Sequence, residues 1–223
     1  MAHVTGVGVL DRVMTILDTV EHTPMGASAL ARHLGLSVPT THRLVAAMVS
    51  HGLLRRDARG LHHPGQRLLS SGIASAAAPV LEELRAQTDE SAQLWVRRGD
   101  HRLCLLSVES HAELRAALPA GTLLPLTDLG SAARVLSGAC GPPERADGGR
   151  TWAESISERT PGLGSVSAPV VVQGETVAAV CVSAPLARVH AESIGAQVGG
   201  AVVAAAERVE RAVLPHLWGG SSA

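Results

Sequence analysis

ASALARHLGLSVPTTHRLVAAMVS, residues 27–50, decides how this chain folds. Leu30, Ala31 and Leu34 share one face of a short helix over 27–34. Gly35 then supplies a tight turn, because glycine has no Cβ to oppose a positive φ. A second helix is expected over 38–50. Ser37 is placed to cap it by accepting a bond from an unpaired N–H of the first turn. Pro39 fits that turn, where a missing N–H does no harm. Leu44, Val45 and Met48 face inward, small Ala31 allows the two helices to cross closely, and Gly52 closes the second one. Helix, glycine turn and capped helix form the outline of a helix-turn-helix.

The flanks extend this outline. Leu10, Val13, Met14, Leu17 and Val20 recur at helical spacing upstream, an amphipathic helix that Thr23-Pro24 ends. Downstream, Leu53–Arg56 and Leu61–His63 flank Asp57-Ala58-Arg59-Gly60, a short hairpin with a glycine-containing loop. Residues 1–65 therefore read as a winged helix-turn-helix domain. Residues 66–75 read as a linker helix, with the boundary at Ser70-Ser71-Gly72. Residues 76–223 form a second domain.

That second domain alternates differently. A helix fits Ala77–Thr88. Strands fit 92–98 and 102–108 around Gly99-Asp100, a hairpin-turn signal. Two more fit 166–172 and 176–183 around Gln173-Gly174-Glu175, and a long Ala/Val helix fits 193–213. Residues 139–150 are rich in Pro and Gly and read as a loop. The fold class is α+β: a winged helix-turn-helix, then an antiparallel sheet with flanking helices.

Composition narrows the functions. Residues 1–72 hold seven Arg against four acids, and the rest twelve Arg against sixteen, so the first part is net positive and the second net negative. Such asymmetry fits a first half that meets an anion such as DNA. Cys104, Cys140 and Cys181 are widely spaced with no C-x-x-C pair, which argues against a disulfide scaffold or a zinc site and for a reducing compartment. No signal peptide and no 18-residue apolar run is read, so the expectation is a cytoplasmic protein without a membrane span.

The helix after Gly35 is the one that enters a major groove, by its N-terminal end. That end carries Ser37, Pro39, Thr40, Thr41, His42 and Arg43. Hydroxyls there can bond phosphates or base edges, and Arg43 can fork onto guanine O6 and N7. Arg55, Arg56 and Arg59 on the hairpin suit phosphate or minor-groove contact, which adds affinity and little sequence information. Each feature alone also describes an ordinary three-helix core or a solvated edge. It is their combination that points to double-stranded DNA.

Enzyme signatures are missing: there is no G-x-S-x-G elbow, no phosphate-cradling glycine loop and no metal spacing. His62-His63 are adjacent on a strand and so point to opposite faces. Cys104 and Cys181 fall in apolar runs where thiols are inert. No cofactor and no metal is expected. A ligand sensor whose helix-turn-helix serves only protein contacts is the other alternative.

Leu30–Ser37, Thr40–Leu44 and His51–Arg56 resemble the IclR family of bacterial regulators. So do Leu124–Thr127 with Ser131, Gly162–Val170 and Val177–Pro185. The resemblance spans nearly the whole chain. Glu90–Trp95 also resembles an actinobacterial subgroup tied to amino-acid biosynthesis. The family resemblance implies a GAF-like effector domain, homodimers or homotetramers, palindromic operators and small carboxylate or amino-acid effectors. It implies an effector pocket at Gly130, Ser155, Ser165, Cys181 and Ser183. Two departures stand out. The chain is shorter than the family at 139–150, and it has Ser155, with Glu154 and Glu158 beside it, where the family often carries an acid.

Overall fold

The computed structural model describes residues 7–116, 118–138, 152–172 and 174–218. The loop expected at 139–150, Cys140 and Gln173 lie outside the described residues. The chain divides into two compact units: one spans Ile73–Pro215, and the other holds the described residues up to Gly72 together with those from His216 on.

The first unit is built from three helices and a hairpin: α1 (Gly8–His22), α2 (Ala27–His33), α3 (Val38–Ser50), β1 (Leu54–Arg56) and β2 (His62–Pro64). Thr23 is extended before Pro24 and ends α1, as the proline requires. Gly35 turns the chain at φ 64°. Ile16, Leu17, Val20, Leu30, Val45, Met48 and Leu54 are buried together as its core. Leu54 pairs with Pro64 and Arg56 with His62, and an isolated antiparallel bridge joins Met25 to His62 beside this two-stranded wing.

Residues 66–88 differ from expectation. They form one helix, α4 (Gln66–Thr88), rather than a linker helix and a separate second helix. Gly72 does not take a positive φ, and the Ala76–Ala78 run keeps the helix going through Pro79.

The second unit centres on one antiparallel sheet in the order β5-β4-β3-β8-β7-β6. Its strands are β3 (Ser91–Arg98), β4 (His101–Val108), β5 (Leu123–Pro125), β6 (Ala153–Ile156), β7 (Leu163–Val172) and β8 (Glu175–Pro185). The two long hairpins follow the sequence reading, whereas the short edge strands β5 and β6 were not foreseen. Leu94, Val166, Ala168, Val170, Val180 and Val182 share one face by direct pairing and are buried. The closing helix α6 (Ile194–Trp218) packs on this face. A Cβ on Gly164 would lie 3.1 Å from Ile194, and Glu210 accepts a 2.6 Å bond from the Val171 N–H at a β-bulge. Helix α5 (Ser131–Ser137) covers the opposite face, where Ala132, Val135 and Leu136 meet Trp95, Cys104 and Cys181.

Candidate nucleic-acid interface and ligand cavity

The tip of α3 is built by its cap. Ser37 sits in extended conformation; its Oγ accepts from the Thr40 N–H at 3.3 Å and donates to Thr40 Oγ1 at 2.8 Å. Two bonds in one turn hold the first residues of the helix in place. Val38, Pro39, His42 and Arg43 are exposed around it, and Thr40 is half-buried. His42 Nε2 lies 3.4 Å from Ser28 Oγ on α2.

Thr41 corrects the sequence reading. It is 0% exposed, and its hydroxyl donates back to the Ser37 carbonyl at 3.1 Å. Residues 41, 45 and 48 lie on one helical stripe, so the period that buries Val45 and Met48 buries Thr41 as well. Ser37 likewise spends its hydroxyl on the cap.

The wing is tied by Asp57. Its Oδ1 accepts from the N–H groups of Arg59 and Leu61, both at 2.9 Å, and its Oδ2 meets His63 Nε2 at 2.9 Å. The His63 bond, then the Leu61 N–H, hold this carboxyl below its usual range. His62 donates from Nδ1 to the Met25 carbonyl at 3.0 Å, and burial lowers its pKa. The two histidines thus have separate structural jobs.

Arg55 and Arg56 point to opposite faces of the wing. Arg56 and Arg59 border an open groove of about 690 Å³. Arg32 of α2 and His42 of α3 line its other sides. The Arg56 guanidinium lies over Gly60, where a Cβ would be 2.9 Å from Nη2. Arg32 is not among the DNA-contact residues expected from the sequence. Its only signal was an exposed arginine in the last turn of α2.

The second unit carries the cavity. Pairing puts Ser91, Ser183, Ser165 and Ser155 abreast across β3, β8, β7 and β6, all on the α5 face. Gln93, Cys181 and Ser167 form the next row. Ser131 Oγ lies 2.8 Å from both Ser165 Oγ and Ser167 Oγ, and Ser183 Oγ donates to Gln93 Oε1 at 3.2 Å. Gly130, Ser155, Ser165 and Ser183 border a cavity of about 180 Å³. A recess of about 30 Å³ shares Gly130, Ser165 and Ser183 with it and reaches Cys181. All five residues read from the sequence therefore meet at one place.

Ser155 donates to Glu158 Oε2 at 2.9 Å, so an acid does stand beside this position, supplied by Glu158. Arg134 binds both Glu158 and the Glu154 carbonyl, fastening the β6 edge to α5. The two described thiols are buried, and burial pushes Cys104 up to about 12, which keeps it an unreactive thiol.

A capped recognition helix beside a cationic groove, and a separate sheet unit with a serine-floored cavity, define a class. It is that of transcription regulators with a helix-turn-helix DNA-binding domain and a C-terminal effector-binding domain. The IclR helix-turn-helix domain matches residues 9–58, and the bacterial transcriptional regulator IclR C-terminal domain matches 66–148. The chain belongs to the IclR family.

Among curated relatives, it is 25% identical to the HTH-type transcriptional regulator BhcR of Paracoccus denitrificans, over 98% of this chain and 91% of that protein. It is 30% identical to KipR of Bacillus subtilis over 56% of this chain and 53% of that one. Among solved structures, an IclR-family protein from Rhodococcus sp. aligns at TM-score 0.57 and 25% identity, covering 95% of each chain. An IclR homolog from Microbacterium hydrocarbonoxydans, solved with 4-hydroxybenzoate, aligns at TM-score 0.54 and 22% identity, covering 92% of this chain and 99% of that one. The relatives are transcriptional regulators, not enzymes. No helix among the described residues is long and apolar enough to cross a membrane.

Proposed function

We propose that this protein binds a palindromic operator as a homodimer or homotetramer in the cytoplasm, and that a small carboxylate or amino acid in the serine-floored cavity changes its grip. The reading rests on the α3 tip, fixed by its Ser37 cap, with Arg43 exposed on it and His42 lining the groove. Residues 1–65 serve as the DNA-binding domain, 66–75 as linker and 76–223 as the effector domain. Ser37 acts as the cap that sets the tip. Pro39, Thr40, His42 and Arg43 approach bases and nearby phosphates, and Arg55, Arg56 and Arg59 add wing contacts. Gly130, Ser155, Ser165, Cys181 and Ser183 surround the effector. The relative bound to 4-hydroxybenzoate supports a carboxylate of modest size. A ligand changes operator affinity only by favouring one arrangement of the two DNA-binding heads, whose half-sites lie about 34–36 Å apart or a multiple of that.

Selection of bound DNA from genomic fragments with the purified chain tests this; recovery of no common site refutes it. On the selected operator, Arg43→Ala is expected to cost roughly 1–3 kcal/mol and to relax preference at one base pair. An equal loss on every sequence would reassign Arg43 to phosphate. Ser165→Val and Ser183→Val should blunt the effector response while operator affinity holds. An unchanged response removes these hydroxyls from the site.

A further inference from the structure

Arg102 of β4 is 2% exposed, yet no carboxylate bonds it among the described residues. Its Nη1 donates to the backbone carbonyl of Asp128 at 2.9 Å. Its guanidinium lies 5.6 Å from the centre of the Trp95 ring, a cation–π distance. Its Nη2 is 3.4 Å from where a Cβ on Gly130 would sit, so the guanidinium packs close against the chain at Gly130, whose φ of 146° suits glycine. A buried charge normally has an ionic partner, because desolvation is costly without one. Here the Asp128 carboxylate helps only through space, while burial and the charge of Arg159 both press the Arg102 pKa down. An arginine nevertheless stays protonated in proteins.

The position of this charge matters. Pairing of Arg102 with Arg97, two residues along β3 from Trp95, places it on the α5 face, the face of the serine rows. The adjoining recess reaches Arg102, Trp95 and Cys181, and Arg159 borders both this recess and the main cavity. Arg159 is exposed, and no carboxylate pairs with it among the described residues. The neighbouring acid Glu158 is already engaged by Arg134 and Ser155. The cavity and the recess that adjoins it thus have hydroxyls on their floor, a buried guanidinium in the recess and a second guanidinium bordering both. The cavity's 180 Å³ is below the roughly 300–1,000 Å³ of drug-sized sites, which suits a compact ligand.

We propose that Arg102 is the residue that reads charge in this cavity: its guanidinium receives the carboxylate of a compact organic acid, with Arg159 as the second cation. This rests on the effector reading above and adds to it the groups that distinguish an acid from its neutral isostere. Arg102 offers a planar fork that matches a carboxylate, and ligand binding supplies the counter-charge that the folded chain withholds. Ser165 and Ser183 then hold the other end of the ligand.

The test is calorimetric titration of the full-length chain with 4-hydroxybenzoate and succinate, each beside its neutral amide, 4-hydroxybenzamide and succinamide. At least one acid is expected to bind, and its amide about 30-fold more weakly, as the loss of a charged hydrogen-bond pair implies. Arg102→Gln should erase that preference, Arg102→Lys should restore part of it, and Arg159→Gln should weaken the acid several-fold. Equal affinity for acid and amide, or binding of neither acid, overturns the proposal. So does an Arg102→Gln protein that melts normally and binds the acid like the parent. If Arg102→Gln does not fold, the Arg102→Lys and Arg159→Gln titrations decide: unchanged affinity in both overturns it. Ser183→Leu, which fills the cavity, separates the two readings. Acid binding that survives Ser183→Leu places the ligand elsewhere, and the effector reading fails too. Acid binding lost in Ser183→Leu but kept in Arg102→Gln defeats only the role of Arg102.

Discussion

Gly65→Ala is expected to destabilise the winged unit by about 3 kcal/mol or more, the upper end of what forced overpacking costs, and operator binding should be lost with it. Gly65 is buried against the backbone of residues 52–54. An added Cβ would sit 2.3 Å from the Gly52 carbonyl oxygen and 2.6 Å from both Leu53 C and Leu54 N. These are main-chain atoms and cannot swing aside as a side-chain tip can. To fit the methyl group, the chain after β2 must part from the chain before β1. That breaks the bond from the Gly65 N–H to the Leu53 carbonyl at 2.8 Å and the one from Arg67 to Gly52 at 3.0 Å. Both bonds fasten the wing beneath α3. Gly72→Ala is the control. It lies in α4 with nothing within 4 Å of its would-be Cβ. An open helical site should gain up to about 1 kcal/mol from the same change. Hydrogen exchange over residues 1–72, read beside operator affinity, measures the contrast. Equal protection in Gly65→Ala and the parent would show that the two backbones do not touch as described.

The winged unit was legible because its signals are local. Gly35, Ser37 and Pro39 each act within one turn, so the ends of α2 and α3 follow from neighbours in sequence. The long hairpins were legible for the same reason: Gly99-Asp100 and Gly174 mark their turns. The short strands β5 and β6 were not, since three or four residues cannot show a period, and both owe their pairing to β4 and β7. The single helix α4 was not legible, because glycine and serine at 70–72 look like punctuation. Thr41 carries both signals, a hydroxyl beside Thr40 and a place on the stripe of Val45 and Met48, and in the fold the stripe prevails.

The cavity was only half legible. Ser165, Cys181 and Ser183 could be placed on one face by alternation along a hairpin, and Ser155 joins them through pairing with Ser165. Arg102 could not be found this way. Alternation shows which residues share a face of β4, but not which face meets a cavity. Its burial depends on β5 pairing on one side, on Trp95 beneath the guanidinium and on Gly130, 28 positions later, packing against it. Charge in a strand reads as solvent exposure unless the pairing partners are known.

Arg188→Ala should cost the second unit about 3 kcal/mol, the low end for breaking a buried pair because Arg188 keeps part of its side chain in water. Glu90 is 3% exposed at the entry to β3 and receives Arg188 Nε and Nη2, each at 2.6 Å. Arg188 Nη1 goes on to the Leu114 carbonyl at 2.5 Å. One guanidinium therefore ties the ends of β3 and β8 to the loop after β4, and that loop delivers Ala116 to the cavity wall. Removing it leaves Glu90 buried without its cation and frees the loop, so acid affinity should fall while operator affinity holds. Arg188→Lys should recover only part of the stability, because a point charge cannot supply three bonds in one plane. The exposed pair Arg115–Glu109, at 2.8 Å with both side chains 40% exposed, sets the scale: Arg115→Ala should cost less than about 1 kcal/mol. Urea unfolding of the three variants compares them. If Arg188→Ala costs no more than Arg115→Ala, Glu90 is not held by this fork, and the cavity wall has some other support.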